Sequence, residues 1–190
     1  MKTIVYLHGF ISSPQSKKAV MLGDYLKNVA SGVAYRVPAL HHRPVRAIEQ
    51  VREACAGVDA GDLTIVGSSL GGFYATVMAE RLGCRAALLN PAVAPHAHFE
   101  RHLGPQRNLY TGEEFVLGPE HIEELRRLAP PGISRPERYW LFVETGDAVL
   151  DYREAVSFYR DALQTVVRGG GHELTSFPEH VPELVEWAKS

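Results

Sequence analysis

The feature that most constrains this chain is a repeated alternation of short β-branched or aromatic runs with helix-length amphipathic stretches. Thr3–Leu7 reads as a buried strand that breaks directly into His8-Gly9-Phe10. Behind it Ser16 is a candidate helix cap, and Leu22, Tyr25, Leu26 and Val29 recur at helical spacing until Gly32. Residues 33–37 form a second strand stopped by Pro38, and Pro44 opens a helix that carries Val45, Ile48, Val51 and Cys55 along one side. A strand at 62–66, a helix at 73–82 and a strand at 85–89 follow, the last ended by Asn90-Pro91. The beat is interrupted over 92–136, a segment with much His, Gly and Pro around one amphipathic helix whose buried face is Ile122, Leu125, Leu128 and Ala129. It resumes with a strand at 139–144, a helix face from Tyr152 to Leu163, a strand at 165–167 and a last helix at 181–188.

Six strands separated by helical crossovers predict an α/β fold, a three-layer arrangement with a six-stranded, mostly parallel sheet covered on both faces, because right-handed crossovers place each strand beside an earlier one. Its 190 residues suit a single domain spanning 1–190, with 92–136 as an insertion. Twenty basic and twenty-two acidic residues leave a net charge of −2, and no run of like charges exceeds two residues. That excludes the electrostatic signatures of nucleic-acid and anionic-membrane partners. Cys55 and Cys84 are too few for a disulfide framework or zinc cluster and read as core thiols. The N-terminal apolar run is too short for a secretory leader, and no stretch reaches membrane-spanning length, so a soluble cytoplasmic protein is expected.

Parallel sheets of this kind bind ligands at the carboxyl ends of their strands, and the chemically capable residues fall there. Gly67-Ser68-Ser69-Leu70-Gly71 fits Gly-x-Ser-x-Gly, a strand-to-helix turn sharp enough to project its central serine. Ser69 has glycine on both sides; Ser68 would have Val66 and Leu70, which clash where strand and helix converge. A serine hydroxyl needs an imidazole to take its proton and a carboxylate to hold that imidazole in one tautomer. Asp147, just past the fifth strand, and His172, in a glycine-rich loop past the sixth, stand in the required places, in the order Ser, Asp, His. Either alone could be a turn or surface residue; the joint placement of all three is what makes Ser69, Asp147 and His172 the candidate catalytic residues. Asp151 is a rival acid but sits where it would cap the next helix, and Glu144 belongs to the strand. His180 is a rival base expected to face solvent beside the last helix. Backbone N–H groups of Leu70, after the nucleophile, and of Phe10, after the first strand, are the expected oxyanion donors, with Gly9 permitting close approach of substrate. His8 reads as a buried residue that shapes this loop. His96, His98 and His102 lack a recognised ligand spacing, and His41-His42 would diverge in an extended loop, so no metal or cofactor is expected.

Tyr6-Leu7-His8-Gly9-Phe10, Ser12-Ser13-Pro14, Gly67-Ser68-Ser69-Leu70-Gly71-Gly72, Asn90-Pro91-Ala92-Val93, Tyr110-Thr111-Gly112-Glu113-Glu114 and Thr145-Gly146-Asp147 leading to Leu150-Asp151-Tyr152-Arg153 resemble the YqiA-like esterase family, small bacterial proteins of α/β-hydrolase fold. The resemblance spans nearly the whole chain. It implies a core that lacks the fold's first antiparallel hairpin, the catalytic roles already given to Ser69, Asp147 and His172, and action on small-molecule carboxylic esters or thioesters. It also implies that the insertion forms a small cap, with Tyr110, Phe115 and the 96–102 stretch as acyl-pocket candidates beside Gly9 and Phe10. Glu173-Leu174-Thr175 departs from the family's small-plus-aromatic sequence after the histidine. Amide or peptide hydrolysis on the same triad, and a non-catalytic binding protein that keeps the fold, are the alternatives. A serine at this position excludes the alkyl-enzyme chemistry of aspartate-nucleophile relatives.

Overall fold

A computed structural model describes residues 1–29, 32–108 and 110–190. Six parallel strands, β1 (Thr3–Leu7), β2 (Ala34–Arg36), β3 (Leu63–Ser68), β4 (Arg85–Leu89), β7 (Tyr139–Glu144) and β8 (Leu163–Val167), form one sheet in the order β2-β1-β3-β4-β7-β8. Every pairing in it is parallel, from Thr3 opposite Leu63 in β1–β3 to Glu144 opposite Val167 in β7–β8. Among the described residues the sheet has no antiparallel strand, as the resemblance implied.

Period-two alternation sorts the strand side chains to two cores. Ile4, Tyr6, Val66, Ala87, Leu89 and Phe142 pack against α1 (Lys17–Asn28) and α7 (Phe177–Lys189). Val5, Leu7, Ile65, Leu88, Leu141 and Val143 pack on the other side against α2 (Pro44–Cys55), α3 (Leu70–Leu82) and α6 (Tyr152–Phe158). Central strands buried on both faces account for the near-continuous apolar runs in the sequence. Cys55 and Cys84 are free and buried, and burial pushes their thiols up to about 11 and about 12, which leaves them inert at neutral pH. No helix among the described residues is long and apolar enough to cross a membrane.

Several element boundaries differ from the sequence expectation, among them the start of α3, which falls at Leu70 and not at 73. α6 stops at Phe158, and β8 begins at Leu163, because the Gln164 side-chain amide donates to the carbonyls of Val156 and Tyr159 (3.1 and 2.7 Å) and so ends the helix. α7 starts a turn early, at Phe177, whose buried ring anchors the helix even though Pro182 lies within it. Ser16 occupies the cap position of α1, but its hydroxyl makes no capping bond.

The insertion is more ordered than its composition suggested. It holds a short helix α4 (Pro95–His98), an antiparallel hairpin of β5 (Gly104–Arg107) and β6 (Glu114–Leu117), and α5 (Pro119–Leu128). α5 buries Ile122 and Leu125 as expected. The hairpin was not legible because one strand contains a proline and both are half exposed, so neither shows a sustained alternating pattern.

Candidate active site

The 67–71 turn carries β3 into α3 with Ser69 at φ 55° and ψ −121°. A serine there is strained by roughly 1–3 kcal/mol and persists only where its surroundings hold it. They do: the Ser69 amide donates to Leu89 O (3.0 Å), and its carbonyl accepts from the amides of Gly72 (2.9 Å) and Ala92 (3.0 Å). A Cβ at Gly67 would run into the Gly71 backbone, and one at Gly71 into the carbonyls of Leu7 and His8, so both flanking glycines are sterically required. Ser68 ends the strand, largely buried.

His172 Nε2 stands 3.1 Å from Ser69 Oγ, and His172 Nδ1 stands 2.8 Å from Asp147 Oδ2. The other Asp147 oxygen accepts from the amides of Val149 and Leu150 (2.8 and 2.9 Å). Burial by itself would raise the Asp147 carboxyl, but the bonds from His172, Leu150 and Val149 outweigh it and hold it below the ordinary Asp value. An ionised carboxylate only accepts, so His172 Nδ1 carries the proton and Nε2 presents its lone pair to the serine hydroxyl. Asp151 caps α6 instead, accepting from the Arg153 amide at 3.0 Å. His180 corrects the expectation of a solvent-facing residue: it is half buried, its ring lies 5.5 Å from that of Phe142, and its Nε2 is buried without a partner.

Neither the Phe10 nor the Leu70 amide has a hydrogen-bond partner among the described residues, and Leu70 opens the 13-residue α3. Gly9 lies against Ser69, since a Cβ there would be 3.7 Å from Ser69 Oγ. His8 pins this loop: its Nδ1 donates to Gly9 O (3.0 Å), and its Nε2 accepts from the Leu40 amide (3.1 Å). Burial lowers the pKa of His8 and so favours this neutral form. A cavity of about 290 Å³ opens over Ser69 and His172, with Gly9, Phe10 and the half-exposed Tyr110 in its wall. Phe115 is elsewhere, in a smaller cavity behind Phe10, edge-on to the Phe10 ring at 6.1 Å and stacked on His42 at 4.3 Å. It supports the wall of the main cavity without lining it.

Two residues of this region were not singled out for the roles they play. Glu144, 1% exposed, accepts from the amides of Gly171 (2.5 Å) and Ser176 (2.7 Å) and from Thr175 Oγ1 (3.1 Å), binding both ends of the loop that carries His172. Asn90, at φ 42°, accepts from the Glu144 amide (3.0 Å) and donates to the carbonyls of Gly171 (2.9 Å) and His172 (3.3 Å). An acid closing an otherwise apolar strand was the available signal for Glu144, but its partners are mostly main chain and carry no sequence signature. Leu174, where the sequence departs from the family pattern, is buried at φ 51° in the core beneath α7 and so fills that site with a different side chain.

Burial would raise the Glu144 carboxyl, yet the bonds from Gly171, Ser176 and Thr175 bring it from 4.5 down to about 2. The folded value lies below the unfolded one, so the associated stability is fully present above pH 4.5 and is lost as pH falls toward 2. Glu144→Gln is expected to cost roughly 3 kcal/mol at neutral pH and to flatten the acid limb of stability between those values, as read by urea unfolding at several pH values. An unchanged acid limb would show that Glu144 is not the group responsible.

His41, His42 and Glu113 bring three ligand atoms within 4.8 Å of one another. The rings of His41 and His42 are 4.2 Å apart and do not diverge, because the chain bends there and His42 is held against Phe115. Their protons are nevertheless committed. The Gly118 amide donates to His121 Nδ1 (3.1 Å), so His121 carries its proton on Nε2 and gives it to His42 Nδ1 (3.1 Å), which leaves His42 Nε2 protonated and without a lone pair for a cation. His98 contacts Glu154 (3.2 Å), and His102 packs with Phe10 and Phe99; these and His96 are not gathered into one ligand set among the described residues.

The wholly parallel sheet, the strained serine turn and an aspartate and histidine brought to it from the ends of β7 and β8 define a protein of the α/β-hydrolase fold. Solved structures similar to it share that fold at low identity. The esterase domain of a Rhodothermus marinus protein matches with a TM-score of 0.71 and 21% identity, covering 99% of this chain and 86% of that one. Mouse alpha/beta hydrolase domain-containing protein 10 matches at 0.68 and 16%, covering 97% and 90%. Est1E from Butyrivibrio proteoclasticus with ferulic acid bound matches at 0.67 and 16%, covering 100% and 90%. Residues 3–189 match the model of the uncharacterised protein family UPF0227, and the chain belongs to that family, the YqiA-like group its motifs resemble.

Proposed function

We propose that this chain is a serine hydrolase that cleaves carboxylic ester or thioester bonds of small molecules through an acyl-enzyme intermediate. The observation that carries the reading is the continuous proton path from Ser69 Oγ through His172 to Asp147, at 3.1 and 2.8 Å, beside two unpartnered amides. His172 Nε2 takes the hydroxyl proton as Ser69 Oγ attacks the acyl carbon, and Asp147 stabilises the imidazolium that results. The amides of Phe10 and Leu70 receive the oxyanion, the second at the positive end of α3. The leaving alcohol or thiol departs with the proton from His172, and water repeats the sequence to free the acid. These steps call for no metal or cofactor. Phe10, Phe99, Val149 and Leu150 provide an apolar wall for an acyl chain, and residues 92–136 serve as the cap, since α4 and the turn after it roof the cavity. An esterase domain and a ferulic-acid-bound protein among the similar structures agree with this chemistry.

A panel of esters, thioesters and anilides of graded acyl length, run beside labelling by a fluorophosphonate, tests the proposal. Ester and thioester turnover is expected to exceed anilide turnover; fastest cleavage of the anilide would reassign the enzyme to amides, and absence of both labelling and turnover would leave a binding protein. Asp147→Asn keeps an acceptor for Val149 and Leu150 but frees His172 to adopt the wrong tautomer, so kcat is expected to fall by about 10⁴ while the melting temperature stays close to the parent's. A loss below tenfold would place the orienting carboxylate elsewhere.

A further inference from the structure

α1 begins in the wall of the cavity with an arrangement that is unfavourable on its own terms. Its first turn contains no acidic residue and starts with Lys17 and Lys18, two cations at the positive end of a 12-residue helix. The cap residue Ser16 makes no side-chain bond to the helix, and the amides of Lys17 and Lys18 have no partner among the described residues. Beneath them lies Tyr6, whose side chain is 0% exposed; its hydroxyl lies close to those of Ser16 and Ser68 but makes no well-formed hydrogen bond with either, and the Ser16 hydroxyl is likewise buried without one. All four residues line the cavity that contains Ser69. Buried hydroxyls are rarely left unsatisfied, and lysines are depleted from helix N-termini, so both departures at one spot point to a group that is missing from it. The Lys18 ammonium donates to Glu173 O at 2.9 Å, which tethers it beside the histidine loop; Glu173 is itself exposed, and the other acids of the cavity wall, Asp151 and Glu154, are exposed and lie at the start of α6.

We propose that the α1 end of the cavity is an anion subsite, formed by the amides of Lys17 and Lys18, the hydroxyls of Ser16 and Tyr6 and the two lysine ammonium groups, and that the substrates are esters or thioesters bearing a carboxylate or phosphate-type group within a few bonds of the scissile carbonyl. This rests on the hydrolase reading above and adds the substrate class. The anion accepts from the helix amides as at other helix N-termini, supplies the missing acceptor for the hydroxyls, and offsets the lysine–dipole repulsion. The apolar wall formed by Phe99, Val149 and Leu150 remains for the uncharged part.

Two matched series test this without any variant. One compares 4-nitrophenyl butyrate with the 4-nitrophenyl monoesters of succinate and of 3-phosphonopropionate, which place the anion in the acyl half and distinguish carboxylate from phosphate-type groups. The other compares phenyl butyrate with 3-carboxyphenyl butyrate, which places it in the leaving group. In at least one series the anionic ester is expected to exceed its neutral partner in kcat/KM by roughly tenfold or more at low salt, with the advantage shrinking as ionic strength rises. Lys18→Met and, separately, Ser16→Ala are expected to reduce that ratio several-fold. Neutral esters turned over as well as or better than anionic ones in both series would overturn the subsite and leave the hydrolase reading intact. So would an anionic preference that neither variant changes. Failure of the hydrolase reading itself has a different signature: no ester of either charge is cleaved, and the fluorophosphonate does not label the chain.

Discussion

Replacing Ser69 with alanine is expected to abolish fluorophosphonate labelling and to lower kcat on esters by about 10⁶, the loss typical when the nucleophile of such a triad is removed. The effect is large because nothing nearby can substitute: Ser68 ends β3 and is buried, and only position 69 is held by the Leu89, Gly72 and Ala92 bonds at the turn. Those three bonds are main chain and survive the substitution, so unfolding free energy should remain within about 1 kcal/mol of the parent. Mass spectrometry of the labelled protein and denaturant unfolding of the same preparation provide both readouts. Labelling retained in the alanine variant would move the nucleophile to another residue, and lost labelling with a collapsed fold would say nothing for catalysis, which is why stability is measured alongside.

Gly71→Ala is the corresponding test of the scaffold. The added methyl would enter the space held by the carbonyls of Leu7 and His8, where β1 passes beneath the start of α3. Neither obstacle is a rotatable side chain, so relief requires separating α3 from β1, and a destabilisation of at least about 3 kcal/mol, or failure to accumulate folded protein, is expected. Gly61→Ala is the control: a Cβ there meets nothing within 4 Å, and its effect should lie within about 0.5 kcal/mol. Equal stability of the two variants in parallel urea titrations would show that the close approach of β1 and α3 is not what demands glycine.

The strand-end motifs were readable because each has a local cause. A glycine flanks Ser69 on either side for lack of space, Asp147 and Asp151 differ in that one turns toward the histidine and the other caps α6, and the apolar runs are long because the strands are covered twice. The hairpin at 104–117, the placement of Phe115 behind Phe10 and the buried face of His180 were not readable, since each depends on what packs against it from a distant part of the chain. The His41–His42 pair is the same case: a tautomer imposed through His121 by one amide of α5's entry turn decides whether those rings can bind a cation.

Local rules therefore determined the alternation of elements, the parallel sheet and the identity of the serine, aspartate and histidine, because spacing, turn sterics and side-chain chemistry act over a few neighbouring residues. Only the tertiary structure decided how the histidine loop is held, through a carboxylate at the end of β7 and an asparagine after β4, and that the first turn of α1 with Lys17 and Lys18 lines the cavity. Main-chain hydrogen bonds between segments far apart in the chain, and burial that strands a hydroxyl, belong to the packed molecule and have no pattern in the order of residues.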